Sequence, residues 1–331
     1  MRIGIIGAGT WGMALARMLS NSGHVVEVWS PHSETVDLLA ATRIQKNLPD
    51  MIIPEEVRLT KEMEQVCKDK DMVVFAVRSI YVRPAARQAK PFIHIGQIIV
   101  DVSKGIEAET LMTLSEVIHD EVKANVKVVV LSGPTHAEEV ARDLPSAIVS
   151  ACEDITVAEI VQDVFMNSCL RVYTNTDVKG VELCGALKNI IALAAGMSAG
   201  LGYGDNAKAA LITRGLAEIT RLGEKLGCAR DTFAGLAGVG DLIVTATSMH
   251  SRNNRCGYLI GQGYETADAV KRVGMVVEGI NALPAAIAFA EKYEVDMPIV
   301  RAVDAIVNHN ADPRTVVARL MERDKTAERK G

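Results

Sequence analysis

The first residues of the chain place a glycine-rich turn directly behind an apolar segment. Residues 2–6 are mostly apolar, and Gly7-Ala8-Gly9-Thr10-Trp11-Gly12 follows with the spacing G-x-G-x-x-G. A helical pattern of apolar residues comes next, and a second apolar segment covers residues 25–29. This succession predicts a strand, a tight turn, a helix and a second strand, which is the βαβ unit that binds dinucleotides.

Each glycine of this turn has a physical role. Gly7 permits the tight turn, Gly9 lets the backbone approach a pyrophosphate, and Gly12 lets the helix lie close to the strand. The N-terminus of the helix then offers unpaired N–H groups to an anion. The alternative is a tight strand–helix turn without a ligand.

Composition excludes several classes of protein. The chain has 331 residues, 49% hydrophobic residues and a net charge of −5, which predicts one large or two ordinary domains and no nucleic-acid-binding surface. We expect no membrane span, because no uninterrupted apolar run looks long enough for one. The six cysteines form no C-x-x-C pair and the histidines show no metal-ligand spacing, so we expect reduced thiols, a cytoplasmic protein and no metal.

Strand-like and helix-like segments alternate in the first half of the chain. This alternation predicts an α/β fold with a Rossmann-type, doubly wound parallel sheet. The predicted strands cover residues 3–6, 25–29, 72–77, 98–102, 126–131, 147–150 and 170–173.

Helix-forming patterns dominate after residue 177. The predicted helices cover residues 180–197, 206–226, 282–293 and 297–308. We therefore predict a dinucleotide-binding (Rossmann) domain over residues 1–177 and an all-helical substrate-binding and catalytic domain over residues 178–331.

Polar turns follow three of the predicted strands. They are residues 77–79, the segment Ser103-Lys104-Gly105 and residues 132–135. Ligands of doubly wound sheets lie beyond the carboxyl ends of the strands, so these turns are expected to border one crevice. Ordinary loop chemistry is the alternative for each turn taken alone.

The helical half carries further candidates. Lys188 interrupts an apolar stretch, and its side chain either acts in catalysis or reaches out to solvent. Gly238 and Gly240 favour a tight backbone turn beside a ligand, and Asp241 after them is either a site residue or a helix cap.

Arg252 and Asn253 form either a solvated corner or a phosphate contact. Arginine suits a phosphate because it donates two parallel hydrogen bonds. A dinucleotide site, two lysines, an aspartate and an arginine together predict hydride transfer to a small phosphorylated substrate.

These residues give the chain a family resemblance over nearly its whole length. It resembles NAD(P)-dependent glycerol-3-phosphate dehydrogenases of the bacterial type. The segments that carry the resemblance are 7–12, 103–107, 132–137, 185–189, 212–216, 238–242, 251–253 and 276–279.

The resemblance implies the interconversion of dihydroxyacetone phosphate and sn-glycerol 3-phosphate with NADP or NAD, for phospholipid synthesis, by a cytoplasmic homodimer. It implies that Lys188 is the catalytic proton donor and acceptor, with Lys104 and Asp241 beside it. The implied substrate contacts are Lys104, Gly133, Thr135, Lys188, Asp241, Ser251, Arg252 and Asn253. The implied cofactor contacts are Gly7, Gly9, Thr10, Trp11, Gly12, His32, Lys104, Ala137, Arg252, Val276 and Glu278.

Simple electrostatics agrees with these roles. Reduction of a ketone places negative charge on its oxygen, and Lys188 can supply both a cation and a proton there. A nearby Lys104 would lower the pKa of Lys188, whereas Asp241 would hold the lysine in place and raise that pKa. The sequence leaves the balance of the two effects open.

Three positions depart from common patterns. The end of the second predicted strand has no carboxylate for a ribose hydroxyl, while Ser30 and His32 could accept a 2′-phosphate, so we expect NADP to be usable and NAD not to be excluded. Arg78 stands where the family usually has proline, either as a cation at the cofactor crevice or as a solvated side chain. Cys184 replaces a usual glycine and should be tolerated because it is small.

Two rival interpretations remain at this point. Another two-domain dehydrogenase, of the ketopantoate reductase or β-hydroxyacid kind, would share the architecture and a lysine after the nucleotide domain. A dinucleotide-sensing module without turnover would bind the cofactor only. The segments 238–241 and 251–253 argue against the first, and the lysines with Asp241 argue against the second.

Overall fold

The computed structural model describes residues 1–325 and 327–328. Its contacts divide the chain into two compact units. The first consists of Met1–Ala186 and Gly227–Asp241, and the second of Leu187–Leu226 and Leu242–Gly331. The sequence-based division after residue 177 stays a prediction.

The first unit contains the strands. In chain order they are β1 (Arg2–Ile6), β2 (Val25–Trp29), β3 (Ile44–Gln45), β4 (Leu48–Ile52), β5 (Arg58–Thr60), β6 (Met72–Phe75), β7 (Ile98–Asp101), β8 (Lys127–Ser132), β9 (Ser146–Ala151) and β10 (Leu170–Asn175). Strands β3 and β4 form a separate antiparallel hairpin, and the other eight form one sheet in the order β10-β9-β8-β7-β6-β1-β2-β5.

The direction of the strands decides where the loops meet. Strands β2, β1, β6, β7 and β8 pair in parallel, so the turns after β1, β6, β7 and β8 share one edge of the sheet. Strand β9 runs antiparallel to β8, and β10 runs parallel to β9. The predicted doubly wound fold is confirmed, with β9 and β10 reversed.

Alternating side chains fill both faces of the sheet. Val74 and Val100 belong to one apolar cluster, while Val73 and Ile99 belong to a cluster on the other face. This period of two follows from the strand pleat, and burial on both faces explains why the strands are continuously apolar.

Helices cover the sheet and build the second unit. In chain order they are α1 (Thr10–Asn21), α2 (Ser33–Thr42), α3 (Met63–Cys67), α4 (Val82–Ala89), α5 (Leu114–Val122), α6 (Ala137–Val140), α7 (Ile155–Phe165), α8 (Val178–Gly200), α9 (Asp205–Lys225), α10 (Arg230–Ala234), α11 (Asp241–Thr247), α12 (Arg252–Gly261), α13 (Thr266–Val273), α14 (Glu278–Lys292), α15 (Pro298–His309) and α16 (Pro313–Met321).

Within the second unit, α8 and α12 approach closely at glycines. A Cβ atom at Gly196 would collide with the backbone of Asn254, and one at Gly257 with the backbone of Leu193. Among the described residues α8 alone has the length and apolar composition to cross a membrane, and 89% of its apolar window is buried inside the structure. This burial is typical of the central helix of a globular core.

Candidate active site

The glycine-rich turn after β1 has the geometry that its sequence predicts. Gly7 has φ +124°, and a Cβ atom there would lie 2.5 Å from the carbonyl oxygen of Ala76. A Cβ atom at Gly12 would collide with the carbonyl oxygen of Gly7. These two glycines therefore allow the turn and the close approach of α1.

Gly9 differs from the other two glycines because it faces open space. It is the N-cap of α1 with φ −73° and makes no side-chain cap hydrogen bond, and a Cβ atom there would have no heavy atom within 4 Å. The open position beside the N–H groups of a 12-residue helix fits the pyrophosphate of a dinucleotide.

A residue that sequence reasoning missed supports this helix terminus. The side-chain amide of Asn47, between β3 and β4, donates to the hydroxyl oxygen of Thr10 at 3.1 Å. Trp11 packs against the apolar cluster that contains Val74. No pattern in the sequence distinguishes Asn47 from a surface asparagine.

The end of β2 offers hydroxyl and imidazole groups in place of a carboxylate. Ser30 is buried, and its Oγ accepts a hydrogen bond from the backbone N–H of His32 at 3.3 Å. His32 is the exposed N-cap of α2. The residues present therefore fit either dinucleotide, because no carboxylate in residues 28–32 would repel a 2′-phosphate.

Lys104 is the centre of a polar cluster at the carboxyl ends of β7 and β8. Its ammonium donates to the carboxylate of Asp241 at 2.7 Å and to the carbonyl oxygen of Gly133 at 3.1 Å. The hydroxyl of Thr135 donates to the same carbonyl oxygen at 3.2 Å. The first unit thus brings together four of the predicted substrate contacts.

Burial strengthens the attraction between the Lys104 ammonium and the Asp241 carboxylate. The Asp241 side chain is 2% exposed and that of Lys104 is 23% exposed. A buried carboxylate is stable only with a charged or hydrogen-bonding partner, and the ammonium of Lys104 provides one. The alternative in which Asp241 serves only as a helix cap is therefore wrong, although α11 does begin at this residue.

Close backbone packing positions the side chains of Lys104 and Asp241. A Cβ atom at Gly185 would lie 3.5 Å from Cγ of Lys104, so the lysine stem passes close to α8. Asp241 follows a π-helical turn, Leu236–Gly240. In this turn a Cβ atom at Gly238 would collide with the backbone of Phe233.

Lys188 is the centre of a second polar cluster, in the second unit. The residue is 5% exposed, and its ammonium donates to the hydroxyl oxygen of Thr245 at 2.6 Å. The interpretation in which this lysine reaches out to solvent is therefore wrong. Buried lysines are rare unless a partner or a function retains them.

Asparagine side chains join three helices around Lys188. The side-chain amide of Asn253 donates to Oδ1 of Asn189 at 2.9 Å, and its Oδ1 accepts from the backbone N–H of Gly279 at 2.8 Å. Both hydrogen bonds are internal, and they fix the first turns of α12 and α14 against α8. Ser251 caps α12 by accepting the N–H of Asn254 at 3.2 Å.

The remaining predicted cofactor and phosphate contacts lie at helix starts or just before them. Ala137, Arg252 and Glu278 are the first residues of α6, α12 and α14. Val276 and Arg252 are partly buried. The roles of these residues toward a ligand stay predictions.

Two departures from the family pattern have a defined environment. Arg78 is exposed and precedes a short 3₁₀ turn, Ser79–Tyr81, and both interpretations of it stay open. Cys184 is 1% exposed, and burial raises the pKa of its thiol well above the ordinary value. It therefore packs as a small apolar side chain.

The sequence did not indicate which residues would partner the two lysines. The structure gives Lys104 the partner Asp241 and Lys188 the partner Thr245, and the expectation that Asp241 also holds Lys188 stays a prediction. Asp101 was also missed, although a carboxylate in an otherwise apolar strand was a signal that could have found it.

Comparison with known proteins assigns the chain to a family. Residues 2–158 match the N-terminus of NAD-dependent glycerol-3-phosphate dehydrogenase, and residues 177–318 match its C-terminus. The chain is 64% identical over 332 residues to glycerol-3-phosphate dehydrogenase [NAD(P)+] 2 of Lactobacillus delbrueckii subsp. bulgaricus, covering 99% of this chain and 98% of that protein.

Other relatives agree along the whole length. A glycerol-3-phosphate dehydrogenase [NAD(P)+] of Agathobacter rectalis is 50% identical, with 99% of this chain and 97% of that protein covered. The crystal structure of glycerol-3-phosphate dehydrogenase from Coxiella burnetii superposes with a TM-score of 0.93 at 36% identity, covering 97% of this chain and 99% of that one. The chain belongs to the family of NAD-dependent glycerol-3-phosphate dehydrogenases.

Proposed function

We propose that this chain is a glycerol-3-phosphate dehydrogenase that reduces dihydroxyacetone phosphate to sn-glycerol 3-phosphate, reversibly, with NADPH or NADH. The observation that carries the proposal is the buried Lys188 with its hydroxyl partner, in a chain that matches both parts of the family. The product would serve glycerophospholipid synthesis in the cytoplasm.

The glycine-rich turn and its surroundings would hold the cofactor, which when bound supplies the hydride. Gly9 leaves room for the pyrophosphate, and the N-terminus of α1 offers N–H groups to it. The other residues proposed to contact the cofactor are Gly7, Thr10, Trp11, Gly12, His32, Lys104, Ala137, Arg252, Val276 and Glu278.

Lys188 would donate the proton that completes reduction. Negative charge develops on the ketone oxygen during reduction, and an ammonium within hydrogen-bond distance stabilises that charge and then gives up a proton. At 5% exposure the ammonium is largely shielded from water, and this shielding strengthens its attraction to the ketone oxygen. Thr245 accepts one N–H of the ammonium and so orients the others.

Lys104 and Arg252 would bind the polar groups of the substrate. Two donors of the Lys104 ammonium are directed to Gly133 and Asp241, which leaves the third for a substrate oxygen. Arg252 can grip a phosphate through parallel hydrogen bonds. Thr135, Ser251 and Asn253 complete the proposed substrate contacts.

The proposal is tested by following the nicotinamide absorbance with dihydroxyacetone phosphate and each reduced cofactor. Lys188→Met should lower kcat by at least ~10²-fold while the cofactor Kd stays unchanged, because general acid catalysis contributes about that much. Lys179→Met, on the same helix but 43% exposed, is the matched control and should keep its activity. Near-normal turnover of the Lys188 variant would contradict the role.

The phosphate contact is tested with two substrates. Arg252→Gln should lower kcat/KM at least ~10-fold more for dihydroxyacetone phosphate than for dihydroxyacetone, because only the first carries the group that arginine grips. Equal losses on both ketones would contradict a phosphate contact.

We also propose that the enzyme is a homodimer, which the family resemblance supports. Light scattering on the purified protein measures this directly. A mass close to 35.6 kDa at working concentration would indicate a monomer and overturn the proposal.

A further inference from the structure

Two buried carboxyl groups lie behind the turn that carries Lys104. Asp101 is the last residue of β7 and is 0% exposed, and Glu182 on α8 is 6% exposed. Asp101 lies two residues after Ile99, so it points to the same face of the sheet as that residue, the face that α5 covers. Neither carboxyl group belongs to the site proposed above.

Asp101 is bonded to the turn that presents Lys104. Its Oδ1 accepts the backbone N–H of Ser103 at 3.0 Å, which closes a turn immediately before Lys104. Its Oδ2 is buried and has no hydrogen-bond partner among the described residues. Turns of this kind order the backbone of the next residues.

Glu182 is held from the opposite side by α5. Its two oxygens accept the backbone N–H of Ser115 at 2.8 Å and the hydroxyl of Ser115 at 2.6 Å. Burial raises the pKa of Glu182 against these opposing hydrogen bonds, and a negative charge on Glu182 in turn raises the pKa of Asp101.

The charged groups around the pair do not compensate a second negative charge. The negative charge of Glu182 raises the pKa of Asp101, and that of Glu116 raises the pKa of Glu182. Glu116 itself pairs with the partly exposed Lys179 at 2.9 Å, and the Lys104 ammonium is engaged by Asp241. Burial and the neighbouring charge of Glu182 therefore both favour the protonated form of Asp101.

We propose that Asp101 is a positioning residue, whose buried carboxyl group holds the Ser103–Lys104 turn so that the Lys104 ammonium reaches Gly133 and Asp241. This inference rests on the proposed role of Lys104 in binding the substrate.

The acid–base properties of Asp101 agree with this assignment. Burial, and then the charge of Glu182, raise the pKa of Asp101 to about 8 against the opposing hydrogen bonds from Ser103. Loss of the proton places a second charge in the buried pair. The turn must then move or admit water, and Lys104 moves with it.

Two substitutions separate the positioning role from a merely structural one. Asp101→Asn keeps the acceptor for the Ser103 N–H and is neutral, so its KM for dihydroxyacetone phosphate at pH ~7 should stay within about threefold of the wild-type value. Asp101→Ala removes the acceptor for the Ser103 N–H and should raise this KM about tenfold or more. An unchanged substrate KM in the alanine variant would overturn the proposal.

The pH profile of the wild-type protein and of Asp101→Asn tests the positioning role of Asp101 even if the alanine variant does not fold. The wild-type kcat/KM for dihydroxyacetone phosphate should fall above about pH 8, in part through Asp101, and Asp101→Asn should lack that part of the fall. Superimposable profiles of the two proteins would overturn the proposal.

Thermal unfolding tests the proton on Asp101 independently of activity. The folded pKa of about 8 lies above the ordinary value of 3.8, so the folded state binds the extra proton and wild-type stability falls with rising pH between these values. The Tm of Asp101→Asn relative to wild type should therefore rise across this window and level off above it. A constant Tm difference would refute the proton on Asp101, whereas normal activity of Lys104→Met would refute only the proposed substrate role of Lys104.

Discussion

The substitution Gly9→Ala separates the cofactor-binding role of the glycine-rich turn from its structural role. A new methyl group at Gly9 has no heavy atom within 4 Å and the φ of −73° suits alanine. Gly204 gives a matched control, because it is the N-cap of α9 with φ −83° and a Cβ atom there also has open space around it. Each variant therefore adds the same methyl group to a helix N-cap.

The expected magnitudes follow from this match. Alanine is a poorer N-cap than glycine, so each variant loses up to about 1 kcal/mol of stability, and the two losses should be similar. In the cofactor-bound state the methyl group at residue 9 would stand where the pyrophosphate approaches, and we expect the cofactor Kd to rise at least ~10-fold, or about 1.4 kcal/mol. Gly204→Ala should bind the cofactor like the wild-type protein.

The measurements are thermal unfolding and a fluorescence titration with NADH and NADPH. As a positive control for packing, Gly12→Ala should lose about 1–3 kcal/mol of stability, since its Cβ atom meets the carbonyl oxygen of Gly7. A wild-type Kd for Gly9→Ala would refute the reasoning, because the pyrophosphate would then not approach this residue.

Two further predictions concern buried polar groups of the second unit. Glu218 on α9 is buried, and burial raises its pKa from 4.5 to about 7 against the opposing hydrogen bonds that it accepts from the N–H groups of Ile299 and Val300 at the start of α15. The folded state then binds an extra proton that the unfolded state has lost. Wild-type stability should therefore fall by at most about 3 kcal/mol between about pH 4.5 and pH 7, relative to Glu218→Gln. Parallel Tm–pH curves of the two proteins would contradict this. Thr245→Val removes an acceptor of the Lys188 ammonium and should lower kcat about tenfold with an unchanged cofactor KM, as judged by steady-state kinetics; an unchanged kcat would mean that this hydrogen bond does not orient Lys188.

The local sequence was sufficient to predict the elements with a clear apolar pattern. The segment 25–29 is β2 to the residue, and residues 180–197 lie within α8. Both are predominantly apolar stretches, short and rich in valine in the first case and long in the second. Short elements without such a pattern were missed, among them β5 and the β3–β4 hairpin.

The reversal of β9 shows a limit of pattern reading. Its apolar residues satisfy a parallel or an antiparallel neighbour equally well, because burial does not depend on strand direction. Only the pairing in the folded sheet, such as that of Ser132 with Val149, shows the direction. The reversal does not affect the edge where the ligand is expected, because β1, β6, β7 and β8 are parallel and their turns meet there.

By itself the sequence determined the doubly wound fold, the glycine-rich turn and the residue types at the candidate site, since each depends on spacing within a short stretch of chain. Only the tertiary structure decided that Asp241 pairs with Lys104 and that Thr245 accepts from Lys188. These contacts join residues as far as 137 positions apart. Their partners depend on how the chain folds back in space, which no local pattern encodes.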